Sequence, residues 1–527
     1  MRPSGRVGSP YNIPPGLLGF AAMPAPMRPL LLAAALAGVL APMRAHAQAS
    51  PYIPLDDPRL PLLEYLITRG EIEDPSPMIR PFRRADAVQA LAAADTLGSS
   101  PTARIIQKMH SDFADAAGNA WAIEGRAGGQ AYTHARRDLL HPAGADRGRL
   151  YAELGAWATF GNIVLVTRPV AEPRLIDDPD WRGRPDLKFT GRIVDAYISA
   201  QFKYGNVFYG QMDRNWGPVG LPGIPLSNYA YERQGLGIEI GTRDLRLSAF
   251  ATDLQDEVDS LGRTVHRYYF VHRLHARPSR RLTLALWEGV VLAGADRNFE
   301  TRYRNPLSFS YLANTIGLGD KGNVLLGLDA HWRAFRHGTF EAQLALDDFQ
   351  YQNRGGPGRV PDRWALTVGA FGPLGPQLAW RAFYTQASSL AFRTFNRFEN
   401  FTDNGIGLGR NFSDMDQLTL SVSIPLAGRW LATPDLTLLR QGEGAIEDPF
   451  PATPVEAGQT PQIFIGVVER TFRLGLGIQG RQGPLDVQAN AGLHHIMNWR
   501  HEEGRTVNRF EAQIQATLGL RRQGVLR

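Results

Sequence analysis

The stretch from Asn323 to Tyr351 carries the pattern on which the chain is organised. Val324, Leu326, Leu328, Ala330 and Trp332 alternate with Asn323, Leu325, Gly327, Asp329, His331 and Arg333, so one face of an extended segment is apolar and the other largely polar. After a turn signal at His337-Gly338, Phe340, Ala342, Leu344 and Leu346 alternate with Thr339, Glu341, Gln343 and Asp347. Two such runs of about ten residues predict a β-hairpin long enough to cross the hydrocarbon core of a bilayer at a strand's tilt. Strands of soluble sandwiches alternate too, but usually run only about five or six residues.

The dyad returns along the chain. Val194, Ala196, Ile198, Ala200 and Phe202 alternate with Asp195, Tyr197, Ser199, Gln201 and Lys203. Leu485, Val487, Ala489, Ala491 and Leu493 alternate with Asp486, Gln488, Asn490, Gly492 and His494. The apolar faces are rich in Ala and modest in bulk, while Gly and charges of both signs share the other face. That distribution suits lipid outside and a wet interior. Candidate strands fall at 121–134, 149–158, 161–169, 189–203, 205–213, 233–241, 244–253, 264–276, 280–292, 306–315, 323–334, 338–351, 362–371, 376–387, 415–425, 428–439, 463–479, 483–495 and 505–520. A bacterial single-chain barrel takes an even number, so the nineteen candidates reduce to an expectation of about eighteen antiparallel strands: an all-β transmembrane barrel over 121–520.

Upstream the character changes. Leu30 to Ala41 is apolar but too short to span as a helix; with Arg28 before it and Ala45-His46-Ala47 after it, it reads as an export signal, so 1–47 is taken as a signal peptide with an extended start. Its removal takes away Arg2, Arg6, Arg28 and Arg44 and no acid, lowering the formal charge from +6 to +2, so nothing in the charge asks for a nucleic-acid partner. Over 51–117 the period becomes helical: Leu60, Leu63, Leu66 and Ile67 share a face ended by Gly70, and amphipathic segments follow at Arg84 to Asp95 and Thr102 to Ala116. Three short helices make a bundle too small to be very stable alone. It is expected to dock on the periplasmic mouth of the barrel.

Gly210-Gln211-Met212-Asp213-Arg214-Asn215-Trp216-Gly217-Pro218, followed by Leu226-Ser227-Asn228, resembles the strand-and-loop signature of the capsule-assembly Wzi family. So do His272-Arg273-Leu274, Glu288-Gly289-Val290-Val291 and Tyr303-Arg304-Asn305-Pro306-Leu307, and, ahead of the barrel, Arg80-Pro81-Phe82-Arg83-Arg84-Ala85-Asp86. The resemblance implies an eighteen-stranded outer-membrane barrel with a periplasmic helical bundle, a lectin-like element that holds capsular or other surface polysaccharide and carries out no enzymatic step. It needs no cofactor and leaves room for periplasmic export or assembly proteins beside the membrane lipid. The chain departs from the usual aromatic end of such barrels, running past Leu520 with Arg521 to Arg527.

Sugar binding needs donors and acceptors in a fixed array and an aromatic plane. Asp213, Arg214, Asn215 and Trp216 offer that mixture; equally, Gly217-Pro218 makes a tight turn that Trp216 anchors, with Asp213 and Arg214 merely paired. His272, Arg273, Glu288, Asp329, His331 and Glu341 are expected to form a charged lumenal ladder, either touching a ligand or bracing the wall. Catalytic readings fare worse. Asp347-Asp348 and His494-His495 are consecutive strand residues that point to opposite faces, and with Cys 0 no thiolate can help hold a metal. A diffusion porin is the second reading, favoured by the charged lumen.

Overall fold

The structure, a computed structural model, describes residues 49–94, 101–115, 118–184, 186–187, 189–297, 305, 307, 322–335, 338–348, 361–426, 429–450 and 460–526. The expected export signal lies outside them, as does the candidate strand 306–315 apart from Leu307. The other eighteen candidates are all strands: β1 Ala120–Tyr132, β2 Arg147–Phe160, β3 Ile163–Ala171, β4 Gly191–Phe202, β5 Gly205–Met212, β6 Arg233–Gly241, β7 Leu245–Val258, β8 Thr264–Ser279, β9 Leu282–Gly294, β10 Asn323–Phe335, β11 Gly338–Asp348, β12 Arg363–Leu374, β13 Leu378–Ala387, β14 Met415–Pro425, β15 Trp430–Gln441, β16 Glu469–Gln482, β17 Leu485–Met497 and β18 Thr506–Val525. Each pairs antiparallel with its neighbours in sequence, and β1 pairs with β18 from Ala120↔Val525 to Tyr132↔Gln513, closing an 18-stranded barrel with no free edge.

The pleat sorts side chains as the dyad predicts. Leu328, Trp332, Leu493, Phe510 and Leu518 stand outward and exposed, while Asp329, His331, Glu511 and Thr517 point inward and are buried. Val194 departs from the pattern: a bulge between Arg168 and Pro169 shifts the β3–β4 register, and Val194, expected outside, packs with the lumenal Tyr151 and with Val170.

Connections alternate strictly in length. Turns of two to four residues join β2 to β3 and each later even strand to the odd one after it; the remaining links are longer, such as 213–232, 388–414 and 442–468. Both ends of the barrel sheet, Ala120 and Val525, lie at the short-turn rim.

Among the described residues three helices precede the barrel: α1 Leu60–Arg69, α2 Arg84–Ala92 and α3 Pro101–Phe113. Gly70 ends α1 in the left-handed region (φ 73°), its N–H reaching the carbonyls of Ile67 and Leu66, as the sequence anticipates. Leu63, Leu66, Leu91, Ile106 and Phe113 form the bundle core, which is completed by Ala379 and Leu431 of the barrel. The bundle borrows barrel surface for part of its burial because its own core is small. Arg69 donates to the carbonyls of Leu378 (2.5 Å) and Pro376 (2.9 Å), and Tyr65 to that of Gln377, so α1 sits on the short turn between β12 and β13.

Ahead of α1 the chain enters the barrel. The Ser50 backbone pairs with the lumenal Gln201 amide (3.0 and 2.8 Å), Tyr52 N–H donates to the Tyr197 hydroxyl (3.0 Å), and Asp56 pairs with Arg168 (2.8 Å). From the opposite rim the 213–232 loop folds inward until its Asn215 exchanges backbone hydrogen bonds with Arg80 (2.8 and 3.0 Å). The lumen is thus entered from both ends, and the chain between α1 and α2 meets the inward loop where Arg80 pairs with Asn215.

Candidate functional site

The charged ladder expected from the sequence divides between the two faces of the wall. Arg273, Asp329, His331 and Glu341 are lumenal. Asp329 accepts from Arg273 Nε, Trp287 Nε1 and Gln343 Nε2, all at 2.9 Å, and His331 meets Glu341 at 2.9 Å. Trp287 lies flat there because Gly327 opposite has no side chain; a Cβ would overlap its ring. His272 and Glu288 are a correction. They are direct partners 3.7 Å apart, but in the row that continues through Leu326, on the same face as the exposed Leu284 and Leu328. Residues 272 and 273 are consecutive in a strand, so both cannot enter the lumen.

The lumenal part of the ladder holds the inward loop. Gln343 donates to the Trp216 carbonyl (3.0 Å) and accepts from Ile224 N–H (2.8 Å). Asn215 spends its amide on Leu221 O (2.9 Å) and Gly223 N–H (2.6 Å), and Trp216 is 3% exposed in the main core cluster. Arg214 lies over Phe208 and Phe250 (4.3 and 4.9 Å). These residues build the inward loop and do not line the two cavities described next. Burial pushes the Asp213 carboxyl up to about 6, against the pull of the Arg137 guanidinium.

The open space lies elsewhere in the lumen, in two cavities that share Arg137 and Asn490. The inner one, about 360 Å³, is backed by a row of amides. Gln479, Gln488, Gln515 and Gln130 are direct partners across β16, β17, β18 and β1, so one register line presents four glutamines about 4.8 Å apart. Gln130 Nε2 bonds the Gln515 oxygen at 2.7 Å. The facing acids are all matched: Asp56 with Arg168, Glu172 with Arg174 (2.8 Å) and Arg192 (3.0 Å).

The outer cavity, about 410 Å³, lies between the loops 133–146, 213–232 and 388–414. The His141 ring stacks on Phe412 with centroids 3.6 Å apart, and Tyr229 meets Phe412 edge-on at 5.9 Å. Asp138 accepts from the Leu140 N–H (2.8 Å) and the Tyr229 hydroxyl (3.1 Å) and pairs with His141 at 2.7 Å. Burial alone would raise the Asp138 carboxyl, but the His141 ring and these bonds hold it at about 2. Arg410 is 8% exposed, its Nη2 donates to the Thr367 hydroxyl at 2.5 Å, its Nε has no partner among the described residues, and burial pulls it down to about 10. Close backbone packing sets this loop: Gly409 lies against the Ile224 carbonyl so tightly that a Cβ there would overlap it. A cavity with planar rings, amides and charged donors, walled by strands, can hold a polar ring-shaped ligand.

A closed, even-stranded barrel with an apolar outer face and alternating short turns and long loops defines an integral β-barrel of the outer-membrane class. No protein-family model matches the chain, and no curated protein sequence matches it. Among solved structures, its fold is that of Wzi of Escherichia coli, described as a carbohydrate-binding outer-membrane β-barrel involved in group 1 capsule assembly: TM-score 0.61, 14% identity, covering 89% of this chain and 99% of that one. Two further structures align less well: OccAB4 of Acinetobacter baumannii (TM-score 0.44, 10% identity, 77% of this chain and 98% of that one) and OprD of Pseudomonas aeruginosa (0.42, 9%, 77% and 96%).

Proposed function

We propose that this chain is a non-enzymatic outer-membrane barrel that binds surface or capsular polysaccharide and assists its attachment or assembly at the cell surface, with the helical bundle on the periplasmic side. The observation that carries this reading is the ring-bearing cavity among the long loops, in a lumen that two chain segments enter. The N-terminal segment and the 213–232 loop meet back to back through Arg80 and Asn215, while the remaining space opens between His141, Tyr229 and Phe412. In this reading the long loops face outward from the cell, as in outer-membrane barrels generally, and the short-turn rim with its docked helices faces the periplasm. A diffusion porin is the second reading, favoured by the charged lumen, and it requires a continuous path past the two chain segments that enter that lumen.

The test is deletion of the gene followed by staining of cell-attached and released polysaccharide. Loss of attached material, restored by the wild-type gene, is the expected result. Unchanged retention would remove the proposal, and steady single-channel conductance of the purified protein would replace it with a porin.

A further inference from the structure

Two arginines line the outer cavity without a carboxylate at ion-pair distance among the described residues. Arg410 is more than nine-tenths buried, its Nε is orphaned, and its single hydrogen bond among the described residues is to the Thr367 hydroxyl. Arg137, at the junction of the two cavities, donates Nη2 to the carbonyls of Tyr229 (3.1 Å) and Ala230 and lies over the Tyr231 ring at 4.3 Å. Several guanidiniums of the lumen are matched by acids, Arg473 with Asp435, Arg126 with Glu153, and Arg168 with Asp56 and Asp195, while the other cations without a carboxylate at ion-pair distance among the described residues, such as Arg381 on the Thr68 hydroxyl (2.6 Å) and Arg214 over Phe208 and Phe250, do not line this cavity. Burying a cation without its counter-ion is costly unless a ligand supplies the missing charge. The acid that also lines the outer cavity, Asp138, is already engaged by His141 and Tyr229.

We infer that the outer cavity binds a carboxylate-bearing sugar, a uronic acid residue of a polysaccharide, whose carboxylate pairs with Arg410 and Arg137 while its ring lies beside Tyr229 and Phe412. The inference rests on the carbohydrate-binding reading and names the class of sugar. A planar guanidinium fork matches a carboxylate bidentately, and Thr419 and Asn490 on the strand wall are placed for the sugar hydroxyls.

The experiment is isothermal titration of the full chain in detergent micelles with trigalacturonate and with the same trisaccharide after reduction of its carboxyls. Wild type is expected to bind the acidic form at least about tenfold more tightly than the reduced one. Arg410→Gln should erase that preference, and Arg410→Lys should keep part of it. Should Arg410→Gln fail to fold, judged by the heat-induced gel shift of the barrel, Arg137→Gln carries the same expectation. Equal affinity for both sugars, or an undiminished preference in the Gln variants, overturns the carboxylate assignment and leaves carbohydrate binding standing. Binding of neither sugar overturns both.

Discussion

Arg80 is the residue whose loss the structure makes most legible. It is 4% exposed and faces two buried acids, donating to Glu64 at 2.6 and 3.1 Å and to Asp74 at 2.9 and 3.2 Å, with further bonds to the carbonyls of Ser76 (2.8 Å) and Ile79 (2.9 Å). Its backbone carries the bridge to Asn215. Arg80→Ala leaves two carboxylates buried without their cation, a loss of about 3–5 kcal/mol for a broken buried pair. The penalty falls on the intruding segment and the bundle, because the eighteen-stranded hydrogen-bond network does not pass through residue 80. At ~1.4 kcal/mol per tenfold, the population with the segment withdrawn should rise by roughly two to three and a half orders of magnitude. Planar-bilayer recording should show a closed wild type and a variant with frequent openings, and trypsin should cleave within 49–94 while the barrel core persists. Arg80→Met combined with Glu64→Gln and Asp74→Asn removes the charges together and should recover most of the closure. An Arg80→Ala protein as silent and as protease-resistant as wild type would refute the idea that this cation holds the segment in place.

Asp213→Asn should stabilise the protein at neutral pH. A carboxyl raised to about 6 in the folded state costs stability as pH climbs from about 4 through 6, so wild-type heat-shift midpoints should fall across that window and the Asn variant's should not, with an upper bound of about 3 kcal/mol. Asp138, held at about 2, has the opposite sign: its contribution is present above about pH 4 and is lost as pH drops toward 2, which proteolysis of the 133–146 loop at graded pH should register. Gly409→Ala should lower the thermal midpoint by an amount corresponding to about 1–3 kcal/mol, because the new methyl has no room against Ile224, whereas Gly375→Ala meets nothing within 4 Å and is disfavoured only by its φ of 61°. Asp414→Ala should loosen the 442–468 loop to protease, since its carboxylate accepts from the N–H groups of Gly444 (3.1 Å), Phe464 (2.5 Å) and Ile465 (2.9 Å).

The barrel was legible because its signal is local: two-residue alternation needs only ten consecutive positions, and it located every described barrel strand within a few residues. The helix ended by Gly70 was legible for the same reason. The ladder was half legible. Asp329, His331 and Glu341 follow from parity within one hairpin, but His272 and Glu288 were grouped with them by spacing between strands, where the parity of residue 272 against 273 should have separated them. The amide row Gln479, Gln488, Gln515 and Gln130 joins residues more than 300 positions apart, and no single strand announces it. Arg137, His141 and Arg410 sit in irregular loops whose meeting depends on how 388–414 folds over 213–232. A closer signal existed at Arg410-Asn411-Phe412-Ser413, where an arginine and an aromatic stand two positions apart.

The seam between β1 and β18 sets an order of events. Ala120 to Glu124 pair with Val525 to Arg521. The opening strand therefore keeps one edge unsatisfied until residues 521–525 arrive. Trimming those residues would leave five rungs of the opening strand without a mate, at the rim where the helices rest, and the cylinder would begin its life with a notch.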